Sequence, residues 1–427
     1  MAFGLICALC CAAVVVPSCR SAADSTISAI VRRLLHILRN LWDIDYSRFS
    51  RYLPVVSLAI CVVGAVHGFH QIPQYVNWAD ESLYVRSGIA LASGHWPTYD
   101  LFPSTSFFYA AMSAITGSHT ISFLAHRAHV ITFILTWVVI TALAMRTNPL
   151  LAVLATISNV PPALTFDTAD ALFCILTMAA IGAILQPSPY AAIVLTTFAA
   201  MARPDGLWIS LLLIGYCTLK LGRRKGDIVS VIFAAILLVD FTAEALVNHT
   251  RFTPFTGMKK RAYTAFVQGE GVSYSDFSKD RDAYHTGNRI APVIYGSAEA
   301  NNWSIPTAIA HNPAMFARRV HHNLYKLPRQ LEVDLRNCPM EGIGQFAKGA
   351  PGIVAFIMLL GFVAAAVSPR RQLYLVFSLP FCAYVLTFYR DGYVFAYGPI
   401  FTWIISDAFV QLSPRCRCRS EKPPTAH

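Results

Sequence analysis

Apolar runs recur along this chain, each ended by a short polar or basic cluster, and this pattern limits the possible folds more than any other feature. The segments are 53–68, 128–145, 150–164, 171–185, 190–202, 207–219, 228–247, 353–367, 373–388 and 393–412. A helix that crosses a bilayer needs roughly 20 mostly apolar residues, so this is the pattern of a polytopic membrane protein with about ten spans, some short or tilted. Hydrophobic residues make up 55% of the chain and charged ones 13%, more apolar surface than a soluble core hides. The expected fold class is therefore all-α, a bundle of transmembrane helices.

The net charge of +11 does not point to nucleic acid, because the basic residues fall in short clusters between apolar runs. If segment 128–145 runs inward, alternation places Arg146, Lys220 to Lys225, Arg370-Arg371 and the tail from Arg415 inside, as the positive-inside rule asks. The same alternation places Asp80, Glu81, Asp167, Asp170, Asp205 and Arg390-Asp391 outside. This requires that residues 101–127, broken by Pro103 to Ser106, form juxtamembrane or re-entrant helices rather than a span. The expected layout is an N-terminal segment with a basic amphipathic helix (1–52), a membrane module (53–247) with a first outer loop (69–127), a large outer loop (248–350), C-terminal spans (351–412) and a basic tail (413–427).

The cysteines show no disulfide framework. Cys61, Cys174, Cys217 and Cys382 lie in apolar runs and read as small hydrophobes. The loop sequons Asn248-His249-Thr250 and Asn302-Trp303-Ser304 matter only where the host glycosylates. Asp240 and Glu244, four apart in one span, share a helix face and either mark an ion path or line a cavity. In the large loop, Lys259-Lys260-Arg261 and Arg318-Arg319 are basic where the charge rule does not ask for it. They read either as contacts to lipid phosphate or as a solvated face. Met315, Phe316, Val320 and Leu324 are spaced for an interfacial helix. His321-His322 are adjacent on that helix and diverge, which argues against a shared metal.

The acids collected on one side are the main chemical signal. Asp80-Glu81, flanked by Trp78 and Tyr84, follows the first span, and neither acid is needed to make a span. A carboxylate tuned by burial and neighbours can act as a general base. In order along the chain come Asp80-Glu81-Ser82-Leu83-Tyr84, Gly94-His95-Trp96-Pro97-Thr98-Tyr99-Asp100, Pro103 with Phe107-Phe108-Tyr109, Ala125-His126-Arg127, Thr165 to Asp170, and Ala202-Arg203-Pro204-Asp205-Gly206. This series resembles membrane glycosyltransferases of the GT-C type. The pattern is nearest to protein O-mannosyltransferases and to bacterial transferases that add aminoarabinose or galacturonic acid to lipopolysaccharide. It covers residues 53–220, and departs from the family where a double proline is reduced to Pro103-Ser104.

The resemblance implies transfer of a sugar from a polyprenyl-phosphate donor to a glycan, lipid or protein acceptor, on the outer face of a bacterial inner membrane. It makes Asp80 the catalytic base, with Glu81 orienting it or assisting a metal, and Asp167 or Asp170 the second outer acid. Arg127 is the expected donor-phosphate ligand. Arg203 in the family's Arg-Pro-x-Gly element, Arg390 near its Arg-Tyr element, and Lys259 and Lys260 complete the expected donor-phosphate-binding set. A divalent metal is compatible with these hard oxygen ligands, although spacing names no ligand set. The competing reading is a secondary transporter or a flippase of lipid-linked sugars, for which inverted repeats would be the mark; none is evident.

Overall fold

The computed structural model describes residues 79–95, 103–144, 167–247, 256–274, 283–336, 363–387 and 391–412, and the single positions 52, 55, 59, 62 and 361. Among them there are helices and turns and no strand. The helices are α1 (Ala79–Ala92), α2 (Pro103–Thr116), α3 (Ile121–Ala144), α4 (Thr168–Leu185), α5 (Pro189–Ala200), α6 (Asp205–Leu221), α7 (Arg223–Val247), α8 (Thr256–Tyr274), α9 (Ala283–Tyr295), α10 (Ile305–His311), α11 (Pro313–Arg336), α12 (Arg371–Thr387) and α13 (Asp391–Leu412). Segments 1–51, 150–164 and nearly all of 53–68 lie outside the described residues, as does Arg390.

Among the described residues, three helices are long and apolar enough to cross a membrane: Ile121–Leu143, Thr168–Leu185 and Arg223–Ala243. They mark a membrane protein. Their surroundings differ. The most apolar window of α4 is 61% buried inside the protein, whereas that of α7 is only 28% buried. A helix apolar all round must face either other helices or lipid. α4 is therefore an axis of the bundle, and α7, with exposed Val231, Leu238, Val239 and Leu246, presents a lipid face.

α4 packs against α3, α5 and α13, and α6 packs against α5, α7 and α12. One core joins Phe133 and Ile140 of α3, Phe173 and Ile181 of α4, Leu213 of α6, Phe233 of α7, Phe377 of α12 and Trp403 of α13. Cys174 and Cys217 are buried free thiols in this bundle, as apolar placement required.

The ends of the helices sort by charge. Leu124 and Ala125 near the start of α3 share a small core with Ala169 at the start of α4. Phe173, one turn into α4, packs on Tyr397, near the start of α13, with ring centroids 5.5 Å apart. Arg203, just before α6, meets both Asp205 at the start of α6 and Asp170 in the first turn of α4. Thus α3, α4, α6 and α13 all begin at one end of the bundle, and Glu81, Asp167, Asp170 and Asp205 collect there. Lys220, the α6–α7 turn and Arg370 belong to the other end, where Arg370 pairs with Asp407 at 2.9 Å and Tyr374 donates to the same carboxylate at 2.7 Å. The sequence did not single out Asp407. Its only signal was an acid inside an apolar run.

α1 and α2 are 14 residues each, about 21 Å, too short to cross ~30 Å of hydrocarbon. They pack on one another and on α3, and α2 starts at Pro103, within the break that the sequence shows from Pro103 to Ser106. The expected boundary of the first loop shifts, however. α3 starts at Ile121, so Ala125-His126-Arg127 belongs to the first two turns of the apolar helix rather than to a loop ending at 127.

Two glycines in the resemblance have a backbone reason. Gly94 adopts φ +82, and the amides of Gly94 and His95 donate back to Leu91 and Ala90, a Schellman end to α1. Gly206 lets α6 start directly against α5, because a Cβ there would overlap the Ala199–Ala200 backbone.

Residues 256–336 form a small helical unit with its own core of Tyr263, Phe266, Ala291, Tyr295 and Ala308, covered by Met315 and Phe316. Arg319 is fully buried in it. Its guanidinium donates to Glu270 at 3.2 Å and to the Phe266 carbonyl at 2.9 Å, and lies over the Phe266 ring. Burial holds the Arg319 pKa below its ordinary value, although Glu270 opposes that shift. Tyr295 donates to the same Glu270 oxygen, and burial followed by the Glu270 charge pushes its hydroxyl well up. Arg319 is thus an internal ion-pair partner and not part of a basic surface cluster, leaving Arg318 alone exposed.

Gly206→Ala should destabilise the bundle by about 1–3 kcal/mol, the usual cost of overpacking. Gly215→Ala, where a Cβ meets nothing within 4 Å, should be near neutral. Thermal unfolding in detergent compares the two.

Candidate functional site

The site is built where α1, α2 and α4 converge. Thr168 opens α4, and its backbone N–H is one of the donors a helix N-terminus leaves without an internal partner. Glu81, from the first turn of α1, supplies the acceptor. Its carboxylate takes that N–H at 3.0 Å and the Thr168 hydroxyl at 2.6 Å. Tyr109, from the middle of α2, donates its hydroxyl to the same carboxylate and lies 2.9 Å from the Thr168 hydroxyl. Glu81 is 1% exposed, and Tyr109 and Thr168 are fully buried. Burial, then the Glu81 charge, holds the Tyr109 hydroxyl well above its ordinary pKa, so it stays a donor.

The chemistry of this cluster follows from its saturation. Three donors converge on one carboxylate at a helix N-terminus, an arrangement that favours negative charge. A carboxylate held this way is a fixed anion and an anchor. Asp80 precedes Glu81 in the first turn of α1; its side chain lies outside the described residues.

The second acids separate into two situations. Asp167 is the N-cap residue of α4 and half-buried, and its charge reaches Tyr109. Asp170, in the first turn of α4, is ion-paired with Arg203. Arg203 also meets Asp205 at 3.3 Å and lies over the Phe173 ring. It is 5% exposed. The guanidinium expected to meet a donor phosphate is thus committed to two carboxylates inside the bundle, and ties α4 to the α5–α6 elbow. Ser104 secures the same elbow from α2, its hydroxyl donating to the Phe198 carbonyl at 2.7 Å and its amide to the Met201 carbonyl at 3.2 Å. Carbonyls at the end of α5 are satisfied by an amide and a hydroxyl at the start of α2, as a low-dielectric setting demands.

The remaining expected site residues are spread out. Arg127 is exposed on α3 and stacks over Phe123, 5.2 Å from its centroid. Lys259 and Lys260 are half-buried in α8, and Lys260 lies 5.9 Å from the Trp303 ring centroid. His321 is exposed and His322 half-buried, in keeping with their divergence on α11. Among the described residues no group of three or more His, Cys, Asp or Glu is placed to hold a metal ion.

Sequence reasoning missed Tyr109 as Glu81's partner and did not name Thr168. The signals were present: an aromatic hydroxyl within the element that holds Pro103 and Phe107, and a threonine directly after an N-cap aspartate. No family model, no curated protein sequence and no solved structure matches this chain.

Removing the anchor should cost more than removing one of its donors. Glu81→Ala leaves Thr168 and Tyr109 buried without their acceptor and should destabilise by about 3 kcal/mol, against about 1–2 kcal/mol for Tyr109→Phe. Guanidinium-free thermal melts in one detergent read the difference, and equal shifts for both variants would contradict the anchor role.

Proposed function

We propose that this chain is a membrane glycosyltransferase of the GT-C type. It moves a sugar from a polyprenyl-phosphate donor to an acceptor on the extracytoplasmic face. The observation that carries the reading is the ordered set of motifs from Asp80-Glu81 to Arg203-Pro204-Asp205-Gly206. Its acids, distant in sequence, lie at one end of the bundle around the start of α4. The basic clusters at the opposite end support an inside location for that end.

In this reading Asp80 removes the proton of the acceptor hydroxyl. The acceptor oxygen attacks the anomeric carbon, and the bond from that carbon to the phosphate oxygen breaks. The electron pair leaves with the polyprenyl phosphate, and the anomeric centre inverts. Glu81 positions the turn that carries Asp80 by fastening it to α4. Asp167 supplies a second carboxylate nearby. Because Arg203 is held by Asp170 and Asp205, the leaving phosphate falls to Arg127, with Lys259, Lys260 and Arg390 as further candidates. A fork of guanidinium donors suits phosphate oxygens, and such stabilisation of the leaving group matters as much as the base.

A transporter or flippase is the second reading. It is supported by Asp240, buried on the membrane helix α7, because ionisable groups within a span commonly mark a path.

Asp80→Asn should abolish sugar transfer in membranes supplied with polyprenyl-phosphate sugars, while the variant inserts and melts as the parent does. Full transfer by that variant would remove the assignment. If Asp240→Asn instead abolishes movement of a lipid-linked sugar across vesicles and no transfer is seen in the parent, the transporter reading stands.

A further inference from the structure

The two sides of α11 are built for different surroundings. One arc holds Met315, Phe316, Arg319 and Asn323, and it closes the core of the 256–336 unit through Glu270 and Phe266. The apolar spacing that suggested an interfacial helix is thus partly consumed inside the protein. The other arc, at three- and four-residue spacing, holds Ala314, Ala317, Arg318, His321, Leu324 and Tyr325, all exposed. Leu324 is 46% exposed and Tyr325 81%. From Ala314 to Tyr325 this arc carries no acid; Glu332 is the first, two turns farther along α11.

Neither water nor a protein core accounts for such an arc. A solvated face does not call for an exposed leucine and an exposed tyrosine on one arc, and contact with another protein is an outcome that the test below separates. The combination suits the bilayer interface. There a tyrosine ring sits at headgroup level, a leucine reaches the acyl boundary, and a long cation lays its stem on apolar groups with its charge among phosphates. The position of α11 agrees, because it packs against α12 and α13, which belong to the apolar bundle. Charge selects the lipid. Arg319 and Glu270 pair internally, so Arg318 is the one of the two adjacent arginines whose charge reaches the surface; Arg289 is likewise exposed, beside Ile290 and Val293 on α9.

We propose that the exposed arc of α11 rests on the anionic headgroup layer of the bilayer that the chain's own apolar helices occupy. This contact is independent of the sugar-transfer reading. It would fasten the 256–336 unit to the membrane surface at α11.

The test uses the full chain in nanodiscs of phosphatidylcholine, alone or with phosphatidylglycerol added, with a benzophenone amino acid in place of Tyr325. Illumination followed by mass spectrometry identifies what lies against that position. The expected result is a phospholipid adduct in which phosphatidylglycerol is enriched about fivefold over its share of the lipid, the factor that one arginine near an anionic surface contributes. Arg318→Glu should abolish the enrichment, with its melting temperature checking that the unit stays folded, and His321→Glu serves as the alternative variant. Adducts without headgroup preference, adducts to a second copy of the chain or to another protein, or no lipid adduct would each overturn the proposal.

Discussion

The carboxylate of Glu81 at the start of α4 is the contact on which the arrangement of this end of the bundle rests. A short helix beside the membrane has little to hold it, since α1 is too short to span and its core with α2 and α3 is small. A buried anion on three donors provides a directional tie, and a helix N-terminus provides the place for it. Because the donors come from α2 and α4, one acid fixes three helices. Of the two adjacent acids, Glu81 is thereby committed as an anchor.

Three other contacts follow the same logic. Arg203 is shared by Asp170 and Asp205 and joins α4 to α6. Arg370 and Tyr374 close on Asp407 at the opposite end. Arg319 is enclosed with Glu270 in the loop unit. In each of these three places a guanidinium meets a carboxylate, which offsets the cost of taking either charge out of water. These pairs also lie at helix ends or at junctions between elements, where they set how helices meet. The middle of the bundle is left to apolar packing around Phe173, Phe377 and Trp403.

Much of the layout was legible in the chain. The apolar runs located α4, α6, α7, α12 and α13, with shifts at their ends, and the break at Pro103 to Ser106 foretold short helices there. The gathering of acids at one end and basic clusters at the other follows from alternation along the chain, and contacts such as Phe173 on Tyr397 reproduce it independently. Two readings changed. Ala125-His126-Arg127 joined the apolar helix because helix propagation continues through one positive residue that can lie over Phe123. Arg319 left the surface because Glu270, forty-nine residues earlier, came to meet it. No local pattern announces a partner at that separation.

By itself, the sequence determined the class of environment, the helical character and the charge polarity of the bundle. These depend on composition and period, which act over one or two turns. It also determined where glycine was needed, at Gly94 for a left-handed turn and at Gly206 for a close approach. Only the tertiary structure decided which charged groups are used up in holding the fold and which remain exposed. Glu81, Arg203 and Arg319 are committed, whereas Arg127 and Arg318 face outward. The physical reason is that the state of a charge is set by what packs against it. For each of the committed groups that partner lies on another helix.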